Sequence, residues 1–227
     1  MILFENGDVL ALDKPPGVSM ATSTKEGKSA ADAVRRLFAA SGLRPPDPAP
    51  LLVHRLDAGT SGVVLLAKTP GAHRALSLAL QERRAKKTYR ALVWGRPVPA
   101  VGTIDLPLAR DPKDGRKMRV SAEGKPSSTR YAILRRLSSL ADLEVRPETG
   151  RTHQIRVHLS AVGHPIAGDD FYGGASRWRG VRDRGLREAL RRITRPLLHA
   201  RRVEIPEMGI DVTAPLPADY EAILASA

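Results

Sequence analysis

The chain of 227 residues contains no cysteine. Disulfides, zinc–thiolate centres and cysteine nucleophiles are therefore excluded, and a reducing compartment is compatible with the sequence. Aromatic residues make up only 4%, so each one in an interesting place is worth reading. The N-terminal run MILFENGDVLALDKPPG lacks the basic n-region of a signal peptide, and Glu5, Asp8 and Asp13 interrupt its apolar residues. No stretch reaches the ~18 apolar residues of a membrane span. These absences lead to the expectation of a cytoplasmic protein that does not engage membranes. What the sequence has in surplus is positive charge: 37 Lys and Arg against 24 Asp and Glu, a net charge of +13. A polyanion, with nucleic acid foremost, is the expected partner. An apolar fraction of 42% supports a folded core.

Residues 1–13 alternate in polarity around Asn6-Gly7 and read as a hairpin. Ala30, Ala33, Val34, Leu37 and Phe38 recur at helical spacing behind Ser29, with Gly42 as a stop. The segment RPPDPAP, with four prolines in seven residues, is an extended connector. VVLLAK reads as a buried strand. Thr69-Pro70 then opens a helix whose face is Ala72, Ala75, Leu76, Ala79 and Leu80. KKTYRALVW is a strand with Tyr89, Ala91 and Val93 on one face. Residues 101–125 read as turns, and 127–136 and 140–147 as two more strands. TGRTHQIRVHLSAVGHP returns to helix, with Thr152 as cap and Ile155, Leu159 and Val162 on one face. A basic amphipathic segment spans 181–193, two strands follow, and residues 217–225 form a last helix. No βαβ period appears, so the expected class is α+β with a mixed, mostly antiparallel sheet.

Templates for common chemistries fail. Gly59-Thr60-Ser61-Gly62 is one residue short of the G-x-S-x-G nucleophile elbow. There is no G-x-x-x-x-G-K-[ST] loop and no strand–GxGxxG–helix fingerprint. His153 and His158 stand five apart on diverging sides of a helix, which makes a poor metal site. Read without context, Asp57 is a turn aspartate and Arg156 a helix-surface arginine.

Four segments taken together change that reading: DKPPG (13–17), HRLDAGTSG (54–62), KTYRALVWG (87–95) and TGRTHQIRVHLSAVGHPIAGDDFY (149–172), followed by LLHA (197–200). In this order they resemble the RluA-type pseudouridine synthases over about residues 1–200. The resemblance implies a pseudouridine synthase catalytic domain over 1–227, without an N-terminal S4 domain, built of two packed subdomains with a basic cleft. It implies that uridine in RNA is isomerised by breaking N1–C1′ and forming C5–C1′, with no cofactor and no metal.

The resemblance also assigns roles. Asp57 becomes the catalytic residue, acting either as nucleophile or as base. Arg156 becomes the cation that keeps Asp57 ionised, with Arg151 as the alternative. Tyr89 stacks on the target uracil, and Arg55 fills the space left by the flipped base. His54 and Thr60 shape the loop at the substrate, Lys14 and Pro15 pack beneath it, and His153 joins Arg151 among the substrate-contacting residues. SRWRGVRDRGLREALRRITR carries eight arginines and departs from compact family members. Its Leu186, Leu190 and Ile193 are expected to face inward, while Arg182, Arg184, Arg187 and Arg191 meet the RNA backbone. The strand after LLHA carries VEIPEMG where the family has an aromatic and a His-Pro element. The expected partner is RNA, ribosomal or transfer, rather than DNA, and a monomer is the default. The rival expectation is an inactive RNA-binding module of the same fold.

Overall fold

A computed structural model describes residues 1–22 and 29–226. In chain order the elements are β1 (Ile2–Glu5), β2 (Val9–Lys14), α1 (Ala30–Ala40), β3 (Leu51–Leu52), β4 (Ser61–Ala67), α2 (Pro70–Gln81), β5 (Lys86–Trp94), β6 (Val101–Asp105), β7 (Leu108–Arg110), β8 (Met118–Val120), β9 (Ser128–Arg136), β10 (Leu140–Pro147), α3 (Gln154–Ala161), α4 (Arg184–Arg191), β11 (Leu198–Ile205), β12 (Ile210–Thr213) and α5 (Ala218–Ala225). The class is α+β, with mixed, mostly antiparallel strands.

Two compact units are present. The first comprises Met1–Lys87 and Ala200–Pro215. Its strands run β1-β2-β4-β11, with β3 on β4 and β12 on β11. The hairpin of β1 and β2 closes through Asn6, whose side chain accepts from the Asp8 and Val9 amides. All seven residues of β4 are buried, as a central strand covered on both faces requires. Ser29 and Asp32 form a reciprocal capping box that starts α1. Thr69 accepts from the Ala72 amide, and Pro70 fills the first turn of α2, where no amide donor is needed. Val9, Ala11, Val63 and Leu65 pack with Leu76 and Ala79 of α2 and with Val203, Ile205 and Val212 into this unit's core.

The second unit comprises Thr88–His199 and Leu216–Ala227, with antiparallel strands in the order β5-β10-β9-β6. Tyr89 lies opposite Val145 and Ala91 opposite Leu143. Its core joins Ala91, Val93, Leu143 and Val145 to Ile155 and Leu159 of α3, Leu186 and Leu190 of α4, and Tyr220 and Ile223 of α5. Tyr220 is fully buried and donates from its hydroxyl to Asp142 Oδ1 at 2.7 Å. Arg90 grips the same carboxylate with Nε and Nη2. Burial and the neighbouring Asp142 push the Tyr220 phenol pKa well up, so it stays a donor.

Three expectations need correction. Residues 101–125 contain strands β6, β7 and β8 rather than turns alone. Two of these strands are three residues long, too short for a period-2 pattern to register. Thr152 does not cap α3. His153 holds the N-cap position in left-handed backbone, φ 54°, without a side-chain cap. Val162 does not share the apolar face, since it lies beyond the last residue of α3 and is 42% exposed. Among the described residues, no helix is long and apolar enough to cross a membrane.

Candidate active site

The first unit carries the HRLDAGTSG segment as the approach to β4. Its anchor is Lys14, at the end of β2, which is completely buried. The Lys14 ammonium donates to the carbonyls of Ala58 at 3.0 Å and Pro15 at 2.9 Å. The Gly17 amide donates to the same Ala58 oxygen at 2.8 Å. DKPPG therefore clasps the residue directly after Asp57. A buried ammonium is tolerated only with such charge-assisted partners. The Thr60 amide closes the turn onto the Asp57 carbonyl at 3.1 Å. Gly62 then enters β4 at φ +111°, and a Cβ there would lie 2.2 Å from the Ala200 carbonyl oxygen, so only glycine fits.

His54 braces the segment from the other side. Its Nε2 accepts from the Leu65 amide at 2.9 Å, which requires a neutral ring with the proton on Nδ1. Loss of water, aided by nearby Lys87, lowers its pKa to about 4. Asp57 is half-buried and Arg55 exposed. The Thr60 hydroxyl is buried without a hydrogen-bond partner among the described residues.

The second unit holds the other candidates. Tyr89, on β5, is half-buried and packs its ring against the core. Residues Gln154–Leu159 of α3 are all buried, so Arg156 is no surface arginine. It forms a two-pronged pair with Asp169: Nε donates to Oδ2 at 2.7 Å and Nη2 to Oδ1 at 2.9 Å. Phe171 and Tyr172 lie against the guanidinium, with ring centroids at 5.5 and 5.1 Å.

In place of a helix cap, the Gln154 amide ties down the start of α3. It accepts from the Thr149 hydroxyl and the Arg151 amide, and donates to the Ser128 carbonyl and the Thr129 hydroxyl oxygen. His158 bonds the Thr129 hydroxyl through Nδ1 and the Leu106 carbonyl through Nε2, each at 2.9 Å. Burial lowers its pKa, so it is a neutral structural bridge. His153 Nδ1 meets the Tyr172 hydroxyl at 2.8 Å. Arg151 is exposed. Arg182, Arg184 and Arg191 are exposed as well, whereas Arg187 is half-buried and reaches back to the Val181 carbonyl at 3.4 Å.

The sequence reading missed Asp169 and Gln154 as partners of this helix. Asp169 was within reach, since it stands in the quoted GHPIAGDDFY, but no periodicity distinguishes it from Asp170. Among the described residues no group of three or more histidine or acidic side chains is arranged to hold a metal.

Residues 8–161 match the RNA pseudouridylate synthase family. An uncharacterized RNA pseudouridine synthase of Chloroflexus aurantiacus is 44% identical over 179 residues, which is 77% of this chain and 52% of that one. The chain thus spans about half the length of that relative. The Escherichia coli dual-specificity RNA pseudouridine synthase RluA is 37% identical over 97% of this chain and 94% of its own. The solved structure of human RNA pseudouridylate synthase domain containing 4 superposes with a TM-score of 0.76 at 26% identity, covering 99% of this chain and 92% of that one. The chain belongs to the RNA pseudouridylate synthase family. Within that family it is of the RluA type.

Proposed function

We propose that this protein is an RNA pseudouridine synthase that converts specific uridines of ribosomal or transfer RNA to pseudouridine. The observation that carries the reading is Asp57, a half-buried carboxylate in the family's HRLD element, on a turn whose next carbonyl is held by the buried Lys14 ammonium.

The reaction is an isomerisation. The N1–C1′ bond breaks, uracil turns, C5 bonds to C1′, and the C5 proton leaves while N1 gains one. A carboxylate serves this chemistry either by attack or by proton transfer, and by its charge opposite an electron-poor sugar carbon. Metal-free chemistry of this kind needs no electron acceptor. Arg156 keeps Asp57 ionised once a bound base excludes water. Tyr89 offers its ring to the target uracil, and Arg55 takes the space that the flipped nucleotide leaves. Arg182, Arg184, Arg187 and Arg191 supply sequence-independent contacts to phosphate. The E. coli relative is named as dual-specificity, which supports testing both RNA classes.

The test is pseudouridine mapping of cellular RNA with and without the gene, complemented by wild type or Asp57→Asn. A site that vanishes on deletion and returns only with wild type establishes the activity and its substrate. Normal turnover by Asp57→Asn on that RNA would refute the assignment. Full-length RNA binding with no modification at any site would favour an inactive binding module.

A further inference from the structure

We infer that Asp169 is a positioning residue whose task is to fix the plane of the Arg156 guanidinium. The inference rests on the proposed role of Arg156 as the cation serving Asp57.

Each freedom of that guanidinium is removed by a separate contact. Two parallel hydrogen bonds, 2.7 and 2.9 Å, set its rotation in the plane. The rings of Phe171 and Tyr172 lie 5.5 and 5.1 Å from its carbon and restrain it out of the plane. The carboxylate is itself fixed, because Asp169 Oδ1 accepts from the amides of Phe171 at 3.1 Å and Tyr172 at 3.3 Å. It therefore cannot turn along with the arginine. The helix that bears Arg156 is pinned at its first residue by the four bonds of Gln154.

The charges point the same way. The Arg156 and Asp169 side chains are 5% and 0% exposed, so the aspartate offsets most of the field that the arginine would otherwise project. A residue needed only as a source of positive potential is poorly served by a buried counter-charge. A residue needed as a rigid, directional donor is well served by one.

Asp169→Asn keeps shape and the acceptor for the two amides, but sets an NH2 donor against an arginine donor. The expected result is a kcat on substrate RNA lower by roughly 100-fold, the order that small misplacements of a catalytic group produce. KM should change less than about threefold, since binding is not what is lost. Arg156→Gln should fall as far, and the double variant no further, because both changes break one unit. A raised KM with kcat preserved in Asp169→Asn would mean that Asp169 serves binding rather than the geometry of Arg156, and would overturn the inference.

Normal turnover by Asp169→Asn beside a dead Arg156→Gln would also overturn it, leaving the role of Arg156 intact. Normal turnover by Arg156→Gln would remove both readings together. Multiplicative losses in the double variant would show Asp169 acting independently of Arg156, again against the inference. Should Asp169→Asn fail to fold by circular dichroism, Arg156→Lys decides. It retains the charge without the planar fork and is expected to lose activity like Arg156→Gln, whereas near-normal kcat would refute the argument from geometry.

Discussion

Replacing Lys14 with methionine removes an ammonium from a site with no solvent exposure while leaving a chain of nearly the same length to fill it. At least two charge-assisted hydrogen bonds go, those to Ala58 and Pro15, worth together about 3–6 kcal/mol before compensation. Against this, the cost of holding a charge out of water, several kcal/mol, is relieved. The Ala58 oxygen keeps its bond from the Gly17 amide. The Pro15 oxygen loses the ammonium, a penalty of about 1–3 kcal/mol.

The net destabilisation expected for Lys14→Met is therefore about 1–3 kcal/mol, or roughly 3–10 °C in Tm for a chain of this size. Activity should suffer more than stability, because the clasp sits on the residue after Asp57. A carboxylate free to wander by an ångström costs about 100-fold in kcat. The assay is kcat on a modified RNA at a temperature where circular dichroism shows the variant fully folded. Wild-type kcat in the folded variant would refute the reasoning and reduce Lys14 to a group that supports the fold alone.

Three further perturbations follow from the same geometry. His54 is held neutral in the folded protein with a pKa of about 4, against about 6.5 unfolded. Between those values the unfolded chain binds the extra proton, so stability falls as pH drops from about 6.5 to 4, by up to ~3 kcal/mol. Denaturant melts of His54→Gln should show a shallower loss over that window, and an identical slope would discount the burial of this ring. Tyr220→Phe removes the hydroxyl that bonds Asp142 at 2.7 Å. It should cost about 1.5–3 kcal/mol of stability with kcat unchanged; a kcat loss in the folded variant would contradict a purely structural role. Exchanging Arg182, Arg184, Arg187 and Arg191 for glutamine should weaken RNA binding and lower the slope of log K against log salt by about 2–3 units, Arg187 contributing least because it is turned toward Val181. An unchanged slope would make this helix a solvated face.

Local rules made much of this fold legible. Ser29, Thr69-Pro70 and Asn6-Gly7 announce their elements because a cap or tight turn is chemistry among neighbours, and a sequence displays neighbours. The all-buried β4 was visible for the same reason, as an unbroken apolar run. Elements of three residues, such as β7 and β8, carry no period to detect. The start of α3 misled because its first residue is held by the bonds of the Gln154 side chain to Thr149 and Ser128 rather than by a side chain at the cap, and His153 turns the chain in a left-handed conformation that only the surrounding contacts can enforce.

The candidate site divides along the same line. The residues proposed to do the chemistry were legible in the quoted segments, because Asp57, Tyr89 and Arg156 stand in the motifs that carry the family resemblance. Of the residues that hold them, Lys14 was placed beneath the loop by the resemblance, but its partner was not legible, and Asp169 was not singled out. Lys14 reaches the Ala58 carbonyl across 44 positions and Asp169 reaches Arg156 across 13, and neither separation follows a helical or strand period. Aiming is a tertiary property, and it draws on buried charges that a sequence reader assigns to the surface by default. Lysine, arginine and aspartate are almost never fully buried unless paired. Lys14, Arg156 and Asp169 are all buried; Lys14 bonds the carbonyls of Pro15 and Ala58, beside Asp57, and Arg156 pairs with Asp169. Buried ion pairs are weak devices for stability and stronger ones for holding a unique geometry. That asymmetry accounts for the Arg156–Asp169 pair, and the buried Lys14 ammonium follows the same logic: this protein spends desolvation energy beside two groups proposed to act in catalysis.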